Sequence, residues 1–519
     1  MNHTMRNMKL SKTLALTTLS SMSLPFGLIN ATIAAERPNI VVVFADDMGI
    51  GDVAYAGGKA ATPHLDAMAA AGMRLENAHT TSSVCTPSRY GLLTGRYSWR
   101  THLQRSVYFK PSDKPLIKDG ESTLASMLKE NGYQTACVGK WHLGIGWEFQ
   151  DDYQAKDWQE GMGWDIDYSK PAKTPTSVGF DYFYGIQASL DMAPYVYIEN
   201  EKAVSTATVV KAFHRPGAAS ADFEANQCLK VFAKKSVEFI EGAASKEEPF
   251  FLYLPLTSPH TPIVPSAEWL GKSELGEYGD FLMETDWVVG QVVDALKKTG
   301  NYENTLVIFS TDNGTSPAAK IPDLVAKGHH PNGALRGHKA DLFQGGSRVP
   351  TLAMWPAVIE AGSETTRLTT LADVYATLAD VVGEDVADHE AVDSKSFLPS
   401  LKGQQQERGP IILHSIRGDF AIHDGEWKLM FCGDSGGWSL PRSTPEGAPS
   451  MQLFNLKKDP AETTNVIDQF PEVKQRLEKK ITAYLENGRS TPGAKQENDA
   501  EIQLIKVAKP KKKKAKKKP

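Results

Sequence analysis

Apolar residues in this chain gather in short unbroken runs instead of alternating with polar ones. Asn39-Ile40-Val41-Val42-Val43-Phe44 is the first, and similar runs recur at 134–138, 250–256 and 305–309. A run with no polar side suits a strand buried on both faces, as in a parallel sheet. Each ends in a polar cluster: Ala45-Asp46-Asp47-Met48-Gly49, Gly139-Lys140-Trp141-His142-Leu143-Gly144, Thr257-Ser258-Pro259-His260 and Ser310-Thr311-Asp312-Asn313-Gly314. Between the runs, helical spacing holds over 62–71, 122–131, 225–242 and 278–299. Strands alternating with helices predict an α/β fold with a large, mostly parallel sheet flanked by helices. Such sheets bind ligands beyond the carboxyl ends of their strands. Four separate segments are therefore expected to deliver polar groups to one crevice.

Two stretches break the alternation. Residues 147–178, rich in Trp, Asp, Lys and Gly, read as a long loop beside the site. Beyond about residue 400 the runs shorten to 410–413, 419–422, 427–430 and 452–455, followed by a helical pattern near 471–487. This predicts a smaller antiparallel sheet with one helix. The expected plan is a leader over 1–35, a main domain over 36–400, an α+β subdomain over 401–490 and a disordered lysine-rich tail over 491–519.

The ends of the chain bear on its location. Arg6, Lys9 and Lys12, an apolar stretch over 14–29 and the small residues Ala31-Thr32-Ile33-Ala34-Ala35 have the order of a secretory signal peptide. The mature protein is thus expected in the periplasm or outside the cell, with no transmembrane segment. At the other end, residues 506–519 hold nine lysines and no acid, leaving 48 basic against 62 acidic residues in the rest of the 519-residue chain. Such a tail solvates well and attracts polyanions, though no nucleic-acid partner is expected of an exported protein. Four cysteines (Cys85, Cys137, Cys228, Cys432) are too few for a disulfide scaffold in so long a chain, and Cys137, Cys228 and Cys432 read as buried thiols.

Asp46, Asp47, Asp312 and Asn313 are hard oxygen donors at two strand ends, suited to calcium or magnesium and not to zinc. Cys85-Thr86-Pro87-Ser88-Arg89 alone would be a buried cysteine ahead of a helix with Pro87 in its first turn. The segment continues as Tyr90-Gly91-Leu92-Leu93-Thr94-Gly95-Arg96. With Asp46-Asp47-Met48-Gly49, Thr62-Pro63-His64-Leu65-Asp66, Gly139 to Gly144, Pro259-His260-Thr261-Pro262, Asp312-Asn313-Gly314 and Leu335-Arg336-Gly337-His338-Lys339, it resembles the type I sulfatases near arylsulfatase A, of the alkaline-phosphatase-like superfamily. The resemblance runs from Arg37 through Pro356, with a looser echo at Asp459-Pro460-Ala461-Glu462 and Asn465. One departure is Gln344-Gly345-Gly346, where the family usually has glutamate before the glycines, a change expected to alter a supporting hydrogen bond and not the chemistry.

The resemblance implies hydrolysis of a sulfate monoester, with Cys85 oxidised to formylglycine by a formylglycine-generating or sulfatase-maturating enzyme. Its hydrate would attack sulfur and later expel sulfate. It also implies one divalent cation, calcium favoured over magnesium, held by Asp46, Asp47, Asp312, Asn313 and the modified Cys85. Arg89 would hold the hydrate, Lys140 and Lys339 the sulfate oxygens, His142 would be the base and His260 the general acid. Trp141, Trp147, Trp158 and Trp164, with Tyr153 and Tyr168, could stack on sugar rings or simply pack a loop. A sulfated carbohydrate is the expected substrate. Other readings are a phosphomono- or phosphodiesterase on the same scaffold and, were Cys85 left unmodified, a non-catalytic glycan-binding protein. Oligomeric state is left open.

Overall fold

The computed structural model describes residues 37–154 and 161–505. The proposed leader, Trp158 and the lysines of 506–519 lie outside the described residues. The first apolar run forms the strand Asn39–Ala45, every residue of it buried. It is flanked in parallel by Phe250–Pro255 on one side and Thr305–Thr311 on the other. Its alternate side chains serve two cores: Ile40, Val42 and Phe44 face one, Val41, Val43 and Ala45 the other. That is why the run has no polar face.

Ten strands form the main sheet, in the order Ser363–Thr365, Met73–Leu75, Leu352–Met354, Thr305–Thr311, Asn39–Ala45, Phe250–Pro255, Gln134–Lys140, Tyr182–Ile186, Ile198–Glu199 and Lys202–Ala203. The five central strands from Thr305–Thr311 to Tyr182–Ile186 are parallel. Antiparallel pairing is confined to the flanks. The helices Pro63–Ala71, Cys228–Ala243 and Glu277–Lys298 cover one face. Cys85–Thr94, Leu124–Glu130 and Asp373–Val382 cover the other. Because the central strands run the same way, the segments after Ala45, Val138, Pro255 and Thr311 all emerge at one edge.

The second sheet is a four-stranded antiparallel meander of Ile411–His414, Phe420–His423, Trp427–Met430 and Gln452–Asn455. The helix Pro471–Glu486 joins its core through Leu477, Ile481 and Tyr484. The described residues form one compact body containing both sheets.

Packing extends past residue 490, where a tail was expected. Asn498 Oδ1 accepts a hydrogen bond from the buried Arg100 at 2.8 Å, and Asp499 pairs with Lys118 at 2.7 Å and Arg96 at 3.2 Å. Ile502 and Leu504 add apolar contact. The partners for Arg96, Arg100 and Lys118 hold this segment on the body through residue 505. All four cysteines are buried and free, as expected for Cys137, Cys228 and Cys432.

Candidate active site

Asp46 and Asp47 follow directly on the central strand, and Asp312 and Asn313 follow on its neighbour. Hydrogen bonds fix the turn: Asp47 N donates to Asp312 Oδ1 at 3.2 Å, and Met48 N to Thr311 Oγ1 at 3.2 Å. Asp47 takes a left-handed backbone, φ 65°, as does His142 at 59°. For residues with a Cβ this costs on the order of 1 kcal/mol each.

Cys85 is the first residue of the helix Cys85–Thr94, so the helix begins at the cysteine and not after it. Its Sγ lies 3.6 Å from Asp46 Oδ1 and 3.6 Å from Lys339 Nζ. One turn on, Arg89 donates from Nε and Nη2 to Asp312 Oδ2 at 3.1 and 2.8 Å, and its Nη2 is 3.6 Å from Asp46 Oδ2. Lys140 Nζ meets Asp46 Oδ2 at 2.5 Å, and Lys339 Nζ meets Asp47 Oδ1 at 2.6 Å. His260 Nε2 stands 3.7 Å from Asp47 Oδ2. All of these side chains are buried. The structure thus brings Asp46, Asp47, Cys85, Arg89, Lys140, His260, Asp312, Asn313 and Lys339 into one group.

His142 joins them electrostatically, within reach of Lys140, Arg89 and Asp46. Its Nε2 donates to the Tyr108 carbonyl at 2.9 Å. That bond leaves the lone pair on Nδ1, which is buried without a hydrogen-bond partner among the described residues. His260 is held in the same way, its Nδ1 donating to Thr261 O at 2.5 Å, so a second proton would sit on Nε2.

Electrostatics follow from burying three carboxylates beside three cations. Burial works against ionised Asp46, yet Lys140, His260, Arg89 and Lys339 together hold it well below the usual carboxylate range. Asp312 goes the other way, pushed up to about 7 by burial and by Asp46 despite Arg89. Burial and Lys140 drive His142 well below the ordinary histidine value, and burial and Lys339 lower His260. Burial and Asp312 push the Cys85 thiol far up. At neutral pH Cys85 is therefore a protonated thiol, which is a poor nucleophile and a poor metal ligand.

The residues present can hold a metal ion. Asp46, Asp47, Cys85 and His260 place one ligand atom each within 4.8 Å of one another. Asp47 Oδ2 and Asn313 Oδ1 are buried with no hydrogen-bond partner among the described residues. Buried oxygens without a hydrogen-bond partner are costly unless something binds them.

Of the supports behind the site, sequence reasoning flagged Gln344 but missed Asp52. Buried Asp52 accepts from Gly49 N at 2.6 Å, Tyr278 OH at 2.8 Å and Thr315 Oγ1 at 2.8 Å, and pairs with His329 Nε2 at 2.9 Å. It pins the turn that carries Asp47, and a third acid within a glycine-rich strand end was its one visible sign. The segment bearing Lys339 is tied in by Lys339 N to Thr315 O, 3.0 Å, and by Gly314 N to Gly346 O, 3.1 Å. Behind it Gln344 donates from its backbone to Glu462 Oε2 at 2.6 Å and from Nε2 to Pro460 O at 2.8 Å. Glu462 pairs with buried Lys428 at 2.7 Å. Among the aromatic candidates, Trp141 and Trp147 are buried in the core, with Trp147 edge-on to Tyr168, so these two pack the loop.

Comparison with known proteins agrees with this geometry. Residues 38–384 match the family model described as Sulfatase. The chain is similar to an N-acetylgalactosamine-6-O-sulfatase of Bacteroides thetaiotaomicron, 32% identical over 492 residues that cover 85% of this chain and 92% of that protein. It is also similar to arylsulfatase A of Bos taurus, 32% identical over 467 residues and 85% of each chain. Among solved structures, one from work on glycosaminoglycan metabolism by Bacteroides thetaiotaomicron superposes with a TM-score of 0.75 at 30% identity, covering 86% of this chain and 99% of that one.

Proposed function

Because the chain belongs to the sulfatase family, among the arylsulfatase A-like type I enzymes, and is a sulfuric ester hydrolase, we propose that it removes sulfate from a sulfated carbohydrate outside the cytoplasm. The observation that carries the reading is the position of Cys85 Sγ, 3.6 Å from both a carboxylate of the cation-type group and the Lys339 ammonium. A nucleophile there has cation-binding oxygens on one side and a sulfate-binding charge on the other.

Asp46, Asp47, Asp312 and Asn313 would hold a calcium or magnesium ion, calcium being favoured, with residue 85 as a further ligand. When present, the cation and a formylglycine made from Cys85 by a maturation enzyme supply an acidified hydroxyl that attacks sulfur. The remaining work falls to the chain's own residues. Lys140 and Lys339, held in place by Asp46 and Asp47, offer N–H donors to the sulfate oxygens as charge develops. Arg89, anchored on Asp312, orients residue 85. His142, neutral with its Nδ1 lone pair free, accepts the proton when sulfate leaves. His260, with Nδ1 committed to Thr261 O, has Nε2 as the one ring atom left to exchange a proton, and in its protonated form it gives that proton to the departing sugar oxygen.

The names of several relatives support a sugar substrate, since the Bacteroides protein and those of Mus musculus and Canis lupus familiaris are N-acetylgalactosamine 6-sulfatases. N-acetylgalactosamine 6-sulfate is therefore the first compound to try. No helix among the described residues is long and apolar enough to cross a membrane, which is compatible with export to the periplasm or medium. A sulfate-release screen across sulfated mono- and oligosaccharides tests the reading, with the Cys85→Ala variant as control. Release by the wild type alone supports it. Equal release by both, or phosphate ester cleavage faster than sulfate release, overturns it.

A further inference from the structure

Away from the catalytic group, two adjoining surface clefts share Lys272. The first, about 620 Å³, is lined by Trp269 and Trp287 with Lys230 and Glu268. The second, about 440 Å³, continues from Lys272 to Lys59 and Lys327. None of these residues belongs to the catalytic group. Both tryptophans are half-buried, their ring centroids 6.5 Å apart at an interplanar angle of 53°. Tilted in this way, the indoles do not stack on each other, and both line the cleft.

The loop that carries Trp269 is fixed from beneath. Ser266 N donates to Glu284 Oε2 at 2.8 Å, and Gly271 N and Ser273 N donate to Asp280 Oδ2 and Oδ1 at 2.8 and 2.6 Å. Asp280 and Glu284 are buried on the helix Glu277–Lys298, which also bears Trp287. Two buried carboxylates on one helix therefore set the position of one indole against the other. A ligand would not have to order the loop on binding.

Charge in the groove is unbalanced. Lys230 is neutralised by Glu268. By contrast, Lys59 Nζ donates to Lys327 O at 2.9 Å and Lys327 Nζ to Glu274 O at 3.0 Å, so both bond to backbone carbonyls. Lys272 has no ion pair among the described residues, and Glu274 is the one acid lining the second cleft. Three exposed ammonium groups thus keep their charge beside an aromatic pair, on a chain that is acidic before its lysine-rich end.

We propose that this groove is a second binding site for a sulfated polysaccharide. Sugar rings lie on Trp269 and Trp287, and sulfates face Lys59, Lys272 and Lys327. The inference rests on the carbohydrate-sulfate reading of the catalytic site and extends it, giving the enzyme a hold on the polymer apart from the sulfate being cleaved. The indole pair favours a saccharide over a lipid surface, because a cleft walled by two rings accepts a flat ring better than a planar bilayer.

Binding is followed by tryptophan emission of the full-length Cys85→Ala protein, which cannot turn over the probe, and because the chain has ten tryptophans the groove variants assign the change to the groove. The probes are chondroitin 6-sulfate, dermatan sulfate and ι-carrageenan, each also in desulfated form, with a DNA duplex and anionic lipid vesicles as competing polyanions. At least one sulfated polymer should change the emission saturably and in a salt-dependent way. Trp269→Ala should weaken that binding about tenfold, and the Lys272→Gln/Lys327→Gln pair should weaken it comparably while flattening the salt dependence. The proposal is overturned if no sulfated polymer binds, if the desulfated polymers, DNA or vesicles bind equally well, or if both sets of variants bind like the parent. Monosaccharide sulfate hydrolysis by the matured protein is measured alongside, and groove variants should retain it in full. Should the wild type release no sulfate from any sugar, the catalytic reading fails while the emission titration still decides the groove.

Discussion

Lys339 Nζ lies 3.6 Å from Cys85 Sγ and 2.6 Å from Asp47 Oδ1, so one buried ammonium bridges the cysteine and a carboxylate of the buried acidic group. Its charge is reinforced: burial opposes it, but Asp47, Cys85, Asp46 and Asp312 raise its pKa above that of an ordinary lysine. Lys339 stays protonated across the working range and acts as a fixed charge, not as a proton donor.

The Lys339→Met variant should therefore lose roughly 10²–10³-fold in kcat, the scale seen when one donor to a developing oxyanion is removed. KM should change less than kcat. Steady-state kinetics on a sugar sulfate check this, with circular dichroism to confirm folding.

The roles proposed for His142 and His260 fall in different steps. If the Nδ1 lone pair of His142 takes the proton as sulfate leaves, His142→Ala should slow turnover by about 10²–10⁴-fold while a first-turnover burst of free sugar persists. His260→Ala should suppress the burst itself. Rapid-quench measurement of sugar release separates the two, and loss of the burst in both variants would contradict the assignment.

Gln344 is the position where the sequence resemblance leads to the expectation of a glutamate. Its Nε2 donates to Pro460 O, and its backbone faces Glu462, whose own partner is Lys428. A glutamate at 344 would turn a carboxylate toward a carbonyl and set it beside a second buried acid. Gln344→Glu should lower stability by about 1–3 kcal/mol, with kcat on a sugar sulfate nearly unchanged. Denaturant melts and kinetics on the same preparation test both halves.

How far this arrangement can be read from sequence depends on the length of each signal. The central strands were legible because seven-residue runs such as Asn39–Ala45 are buried on both faces and so carry no polar interruption. Met73–Leu75 and Leu352–Met354, at three residues each, are too short to show a period, and the sheet's antiparallel flank was not legible. In the site, the acids, lysines and histidines announced themselves as side-chain types at strand ends. The Tyr108 carbonyl that sets the His142 tautomer did not, because a backbone group leaves no mark on residue identity. Asp52 and its partners Tyr278 and His329 were hidden by distance, lying 226 and 277 residues apart in sequence.

Two buried histidines make stability depend on pH. His79 and His423 meet edge-on with ring centroids 5.1 Å apart. Burial and Lys428 lower His423 to about 4, and burial and His423 lower His79 well below the usual value. Each pKa is lower in the folded protein than in the unfolded chain, near 6.5. Their stabilisation is therefore complete above about pH 6.5 and is lost as pH falls toward about 4, because the unfolded chain then binds protons that the native state refuses. For His423 the loss is on the order of 3 kcal/mol. Melting temperature followed from pH 7.5 to 4.5 should fall, and His423→Phe should make the fall shallower. A parallel slope in that variant would remove His423 from the explanation.

The central claim is that residue 85 works as an aldehyde and not as a thiol. Mass spectrometry of the peptide spanning 82–96, read together with sulfate release from the same preparation, tests it most directly. Formylglycine should be found at position 85, its fractional occupancy should track specific activity between preparations, and thiol-alkylating reagents should leave that activity intact. An unmodified Cys85 in a fully active preparation would contradict it.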